Sequence, residues 1–212
     1  MDLVLYTHPM SRGRIARWML EEIGVPYRAE IVDYGPPMKG PAYRAINPMG
    51  KVPALKHGDT IITETAAICT YLADAFPAAG LAPAPGSAAR GPYYRWMFFA
   101  AGPLEQAVTA RSMGWEVPQN RAGMVGFGSY KTALDALETA LAHGGYIAGD
   151  RFSAADVYVG AQIGWGLQFG SIEKRDVFVA YWNLLVDRPA HRKAEATDNA
   201  LLPQHLVPGM PG

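Results

Sequence analysis

The sequence predicts an α/β part followed by an all-α part: a βαβ-ββα domain, then an all-helical C-terminal domain. Three observations support this. Strand and helix periodicities alternate over residues 1–77. A stretch rich in Ala, Pro and Gly and poor in charge, 78–88, then interrupts regular structure as a linker does. From 89 to 212 the remaining regular patterns are helical.

Residues 2–7 are apolar and partly β-branched or aromatic, as in a buried strand. Ser11 then precedes a helical pattern that puts Ile15, Trp18, Met19 and Ile23 on one face, ended by Gly24 and Pro26. Residues 27–34 form a second strand, so the first three elements make a βαβ unit with parallel pairing. Regular structure breaks over 35–50, apart from a short helix near 42–46. Residues 52–56 and 60–62 form a hairpin around His57-Gly58-Asp59. A helix over 64–76 directs Ile68, Tyr71, Leu72 and Phe76 toward a core. Beyond the linker, helices are expected over 93–113 (kinked at Gly102-Pro103), 121–142, 153–169, 175–187 and 190–198. From Leu201 onward, Pro and Gly are too frequent for a helix.

Composition narrows the function classes. Lys and Arg together number 19, as do Asp and Glu, and 50% of residues are hydrophobic. No basic stripe or acidic tail is present, which argues against nucleic acid or an anionic membrane as a partner. The single cysteine, Cys69, excludes an internal disulfide and Cys-based zinc or redox motifs. Inside a helix it reads as a small buried hydrophobe. The N-terminus lacks a signal-peptide pattern, and no stretch reaches the roughly 18 apolar residues of a spanning helix. A cytoplasmic protein is expected. The five histidines have no metal-ligand spacing, and P-loop, GxGxxG and HExxH patterns are absent.

Four short stretches carry possible chemistry. In "GKVPAL", Pro53 stands where a strand begins, and proline cannot donate to a ladder. In "ITETAAI", Glu64 and Thr65 open a helix, whose unpaired N–H groups and dipole favour a carboxylate; a plain helix cap has the same residues. Ser11 sits where an N-cap would. In "DRFSAADV", Ser153 and Asp156 have the spacing of a capping box, a structural device.

Together and in order, "LYTHPMS–RGRIARWMLEEIG", "NPMGKVPAL", "ITETAAI" and "GDRFSAADV" resemble a cytosolic glutathione transferase, of a bacterial type with an active-site serine. The resemblance runs nearly the whole length of the chain. It implies that the N-terminal domain is thioredoxin-like and binds glutathione, that the C-terminal domain forms part of the electrophile pocket, and that the protein is a homodimer. It implies a cis Val52-Pro53 bond that turns the Val52 main chain toward the cysteinyl part of glutathione. Thr65 would bind the γ-glutamyl carboxylate and Glu64 the ammonium, while Lys51 or Lys39 would meet the glycyl carboxylate.

Glutathione is then a co-substrate, with no separate cofactor and no metal. Ser11 would activate its thiol, with Tyr6 and His8 as rivals and Arg12 assisting electrostatically. The electrophile, small and hydrophobic, would bind between the domains against Met10, Met113 and Trp115; Trp96 and Phe99 read rather as core. The implied reaction is conjugation, of a detoxifying kind. Two alternatives stay open: glutathione-dependent reduction of peroxides or disulfides, and a non-catalytic glutathione-binding or interaction module.

Overall fold

The computed structural model describes residues 2–203, which divide into two units. The first comprises the residues up to Ala79 together with those from Asp187 onward, and the second is Gly80–Val186.

The first unit begins with β1 (Leu3–Thr7), α1 (Gly13–Ile23) and β2 (Arg28–Ile31). Two one-turn helices follow, α2 (Pro36–Lys39) and α3 (Pro41–Arg44), each with proline in its first turn, where its missing N–H costs nothing. Next come β3 (Ala54–His57), β4 (Thr60–Thr63) and α4 (Thr65–Ala75). The sheet order is β2-β1-β3-β4, with β1 parallel to β2 and antiparallel to β3, and β3 antiparallel to β4. This is the predicted βαβ-ββα arrangement. Leu3, Val4 and Leu5 are all buried, so β1 is covered on both faces. Leu5, Leu55, Ile15, Met19, Ile68 and Leu72 are central to the core.

The second unit is helical: α5 (Arg90–Phe99), α6 (Glu105–Ser112), α7 (Tyr130–Leu141), α8 (Ala154–Phe169) and α9 (Asp176–Val186). The kink expected at Gly102-Pro103 is a five-residue π segment, Ala100–Leu104, between α5 and α6. Proline lacks the N–H of the regular ladder, and a widened turn accommodates its ring. The helix expected over 121–142 starts only at Tyr130. Residues Gln119–Met124 form a 3-10 turn, and Ser129 caps α7 by accepting from the Thr132 N–H at 3.0 Å. Gly123, Gly126 and Gly128 account for the late start, because each lowers helix stability and Gly128 adopts a φ of 65°. Helix α8 is buried nearly all round, and Gly164 lets Trp182 approach closer than a side chain would permit.

The sequence led one to expect a single all-α domain over residues 89–212, whereas the residues from Asp187 onward fall in the first unit. The last helix, α10 (Pro189–Asn199), packs on α1 in the first unit. Its anchor is an ion pair between Arg17 Nε and Asp198 Oδ1, 2.9 Å apart, with both side chains almost fully buried. Arg188 adds a two-point bond to Glu22 at 2.7 and 2.8 Å. Most of the Pro- and Gly-rich tail, residues 204–212, lies outside the described residues. Among the described residues, no helix is long and apolar enough to cross a membrane.

Candidate functional site

Strand register assembles the site. Tyr6 on β1 is paired with Ala54 on β3, and Ala54 with Thr63 on β4. The end of β1, the start of β3 and the end of β4 therefore meet at one end of the sheet. Three stretches are thereby gathered: the loop from His8 to Arg12, the segment Lys51-Val52-Pro53, and the junction Glu64-Thr65.

The first stretch is held through its carbonyls. The His8 carbonyl accepts from the Ser11 N–H at 3.0 Å and from the Ser11 hydroxyl at 2.7 Å. The Pro9 carbonyl accepts from Arg14 Nε. The Met10 carbonyl accepts from the Tyr34 hydroxyl at 2.9 Å. Ser11 Oγ also accepts the Gly13 N–H at 3.0 Å, and the Arg14 N–H goes to the Ser11 carbonyl at 3.2 Å. The Gly13 and Arg14 amides at the opening of α1 are thus taken by Ser11 itself.

Gly13 is required where it stands. A Cβ there would lie 1.9 Å from Thr7 Oγ1, so only glycine lets α1 start this close to the end of β1.

The rivals to Ser11 face other groups. Successive strand side chains point to opposite faces, and Thr7 is the one beside Gly13. Tyr6 therefore lies on the other face, its ring 6.0 Å from that of Tyr43. His8 Nδ1 accepts the Met10 N–H at 3.2 Å, which leaves the proton of the neutral ring on Nε2. Its ring lies 4.3 Å from that of Tyr34. Burial raises the pKa of Tyr34, and Arg12 works against that rise. Arg12 itself is exposed.

The Val52-Pro53 bond is cis. Val52 precedes the ladder, which begins at Ala54, so its main chain takes no part in strand pairing. The segment ahead of it is pinned. The Lys51 carbonyl accepts from Tyr43 Oη at 2.9 Å and from Asn47 Nδ2 at 2.7 Å. Asn47 also receives the Met49 N–H on Oδ1 at 3.0 Å, an Asx turn. Burial, and then the neighbouring Tyr6, push the Tyr43 hydroxyl up to about 12, so it stays a donor. Lys39 Nζ donates to the Gly50 carbonyl at 2.6 Å, tying the same turn from the other side. The Lys51 side chain is exposed.

Glu64 has φ 67° and ψ 119°, and among the described residues no other non-glycine residue has a positive φ. It precedes α4 without making a side-chain cap bond, and Thr65, the first residue of the helix, is buried. The plain helix-cap reading of Glu64 and Thr65 is therefore not met. Met10, in the first unit, is exposed, as are Met113 (60%) and Trp115 (64%) in the second. Trp96 is buried and Phe99 half-buried. Cys69 is fully buried, which drives its thiol up to about 12. Among the described residues, no three His, Cys, Asp or Glu side chains are gathered to hold a metal.

Tyr34, Tyr43, Asn47 and Gly13 went unremarked in the sequence. Only Asn47 had a local signal there, as the Asn of an Asn-Pro turn.

The fold and site define a class: a thioredoxin-like domain in which the β1–α1 loop, a cis-proline segment and a helix start meet at one end of the sheet, followed by a helical domain. The comparisons agree. Residues 10–75 match the model of the glutathione S-transferase N-terminal domain, and residues 91–165 that of the C-terminal domain. Glutathione S-transferase A of Pleuronectes platessa is 30% identical over 154 residues, 69% of this chain and 68% of that one. The solved glutathione transferase of Methylococcus capsulatus is 30% identical, covers 94% of this chain and 100% of its own, and has a TM-score of 0.78. A sphingomonad glutathione S-transferase, solved with glutathione, is 29% identical with a TM-score of 0.74, covering 92% and 98%. The chain belongs to the glutathione S-transferase family, which makes it a transferase enzyme acting with glutathione.

Proposed function

We propose that this glutathione transferase ionises the glutathione thiol beside Ser11 and conjugates it to a small hydrophobic electrophile. What supports this is the strand register, Tyr6 with Ala54 and Ala54 with Thr63, which gathers all three expected ligand contacts at one sheet end.

In this proposal the cysteinyl main chain of glutathione bonds Val52 as an added strand would. Its γ-glutamyl carboxylate meets the Thr65 end of α4 and its ammonium meets Glu64. Lys51 takes the glycyl carboxylate, with Lys39 holding the turn that presents it. Arg12 adds positive potential. Met10 offers exposed apolar surface to the electrophile beside the β1–α1 loop. The enzyme works as a cytoplasmic homodimer and in detoxification.

The thiol must be ionised to be nucleophilic, and a free cysteine thiol titrates at about 8.5. The Ser11 hydroxyl donates to a neutral carbonyl, that of His8. Such a bond contributes about 0.5–1.5 kcal/mol, against about 1.5–3 kcal/mol for a bond to a charged group. A thiolate therefore draws the hydroxyl away by rotation about Cβ–Oγ. The His8 carbonyl keeps its bond from the Ser11 N–H, and Ser11 Oγ keeps the bond from the Gly13 N–H. The barrier then falls mainly through anion stabilisation and proximity.

The test is the ultraviolet absorbance of the thiolate in the bound complex, followed against pH. Ser11→Ala is expected to raise the bound thiol's pKa by about 1–2, equivalent to about 1.5–3 kcal/mol. Glutathione should still bind. If the titration is unchanged in that variant, Ser11 is not the activator, and His8 Nε2–H or the Tyr6 hydroxyl takes its place.

A further inference from the structure

We infer that Arg14 is a positioning residue for the thiol-activating loop, and that the C-terminal end of α10 holds it in place through Asn199. The inference rests on the reading that the loop from His8 to Ser11 is where the thiol is ionised.

Arg14 lies on the first turn of α1. Its Nε donates to the Pro9 carbonyl, inside that loop. Its Nη2 donates to Asn199 Oδ1 at 2.7 Å. One planar guanidinium thus joins the loop to a residue 185 positions away. A lysine cannot reproduce this fork, because arginine presents its donors in a fixed plane. Asn199 directly follows Asp198, whose buried bond to Arg17 at 2.9 Å fixes the end of α10. The far end of the tether is therefore seated on a rigid support.

At the near end, three consecutive carbonyls are held from different places. The His8 carbonyl is bonded within the loop, that of Pro9 by Arg14, and that of Met10 by Tyr34. Releasing the middle one frees the peptide between the two groups that set the direction of Ser11 Oγ. Charged groups face Arg14 from both helices: Asp198 and Glu195 on α10, and Arg17 on α1. The binding contacts proposed for glutathione, at Val52, Glu64 and Thr65, lie on other elements. Loss of the tether is therefore expected to change the chemistry of the thiol more than the affinity for glutathione.

The test uses the full chain. Asn199→Ala is expected to lower kcat about 3–10-fold, as loss of one charge-assisted bond would, with KM for glutathione changed less than about twofold. The bound thiol should titrate at higher pH. Asn199→Gln, which keeps an amide oxygen, should restore at least half of both changes. Arg14→Lys, which keeps the charge, should show the loss as Asn199→Ala does. Wild-type thiol titration in either Asn199→Ala or Arg14→Lys overturns the inference, as does failure of Asn199→Gln to restore it. Ser11→Ala separates the two readings. If it leaves the titration unchanged while Asn199→Ala shifts it, the tether stands and acts through another group of the loop.

Discussion

Glu64 carries a backbone conformation that L-residues avoid, at φ 67° and ψ 119°. Such residues cost about 1–3 kcal/mol and persist where the surrounding structure over-determines them. Nothing about capping demands it here, since Glu64 makes no side-chain cap bond. On the proposed reading, that conformation holds the carboxylate for the ligand ammonium. Glu64→Gly is therefore expected to raise stability by about 1 kcal/mol in denaturant unfolding, after the entropy of the added glycine is offset. The same change should weaken glutathione binding about tenfold or more in calorimetry. A stabilised variant with unaltered affinity would remove Glu64 from the site. Gly13 makes the opposite case. Gly13→Ala puts a methyl into Thr7 Oγ1, and overpacking of this kind costs about 1–3 kcal/mol. Unfolding measurements on that variant should show such a loss, and its thiol activation should fall as α1 is pushed off β1.

Among the elements, α8 shows how a buried charge can serve structure alone. Asp156 accepts from the Ile147 N–H at 2.8 Å, the Ser153 N–H at 2.9 Å, the Ser153 hydroxyl at 3.0 Å and Tyr181 Oη at 2.8 Å. The capping box expected from its spacing is present, and it also ties α8 to α9 and to the turn before α8. Asp156→Ala leaves buried donors without an acceptor and should cost about 2–4 kcal/mol at neutral pH, read from denaturant unfolding. Burial outweighs the four bonds and raises the carboxyl's pKa. The folded state therefore holds the proton to higher pH than the unfolded state, whose aspartates titrate near about 3.9. Stability from this group is full below that value and declines as pH rises through the folded pKa. The stability difference between wild type and Asp156→Ala should shrink over that interval and level off above it. Unfolding curves at a series of pH values check the sign.

For the whole molecule, the informative fact is that the first unit is built from both ends of the described chain. Arg17 is buried on α1, and its carboxylate partner lies 181 positions later. Removing one member of a buried pair costs about 3–5 kcal/mol, because the other charge remains out of water. A chain ended at Val186 is thus expected to unfold at markedly lower denaturant concentration, with the loss in the first unit. Asp198→Asn should show much of the same loss with α10 still present.

How far the sequence can be read follows from the range of each interaction. The order of the strands and helices, the kink at Pro103, the capping box at Ser153 and the three stretches that meet at one end of the sheet were all legible. Hydrophobic period, proline geometry and cap chemistry are set within a few residues of one another. The late start of α7 was less so, since three glycines had to be weighed against an otherwise helical stretch. The tertiary structure alone decided that the Met10 carbonyl would be held by Tyr34, from beyond the end of β2 and well along the chain. It also decided that α10 would return to α1, and that Arg14 would find Asn199. Each of these depends on groups far apart in the chain whose meeting is fixed by packing, and no local pattern of residues records it.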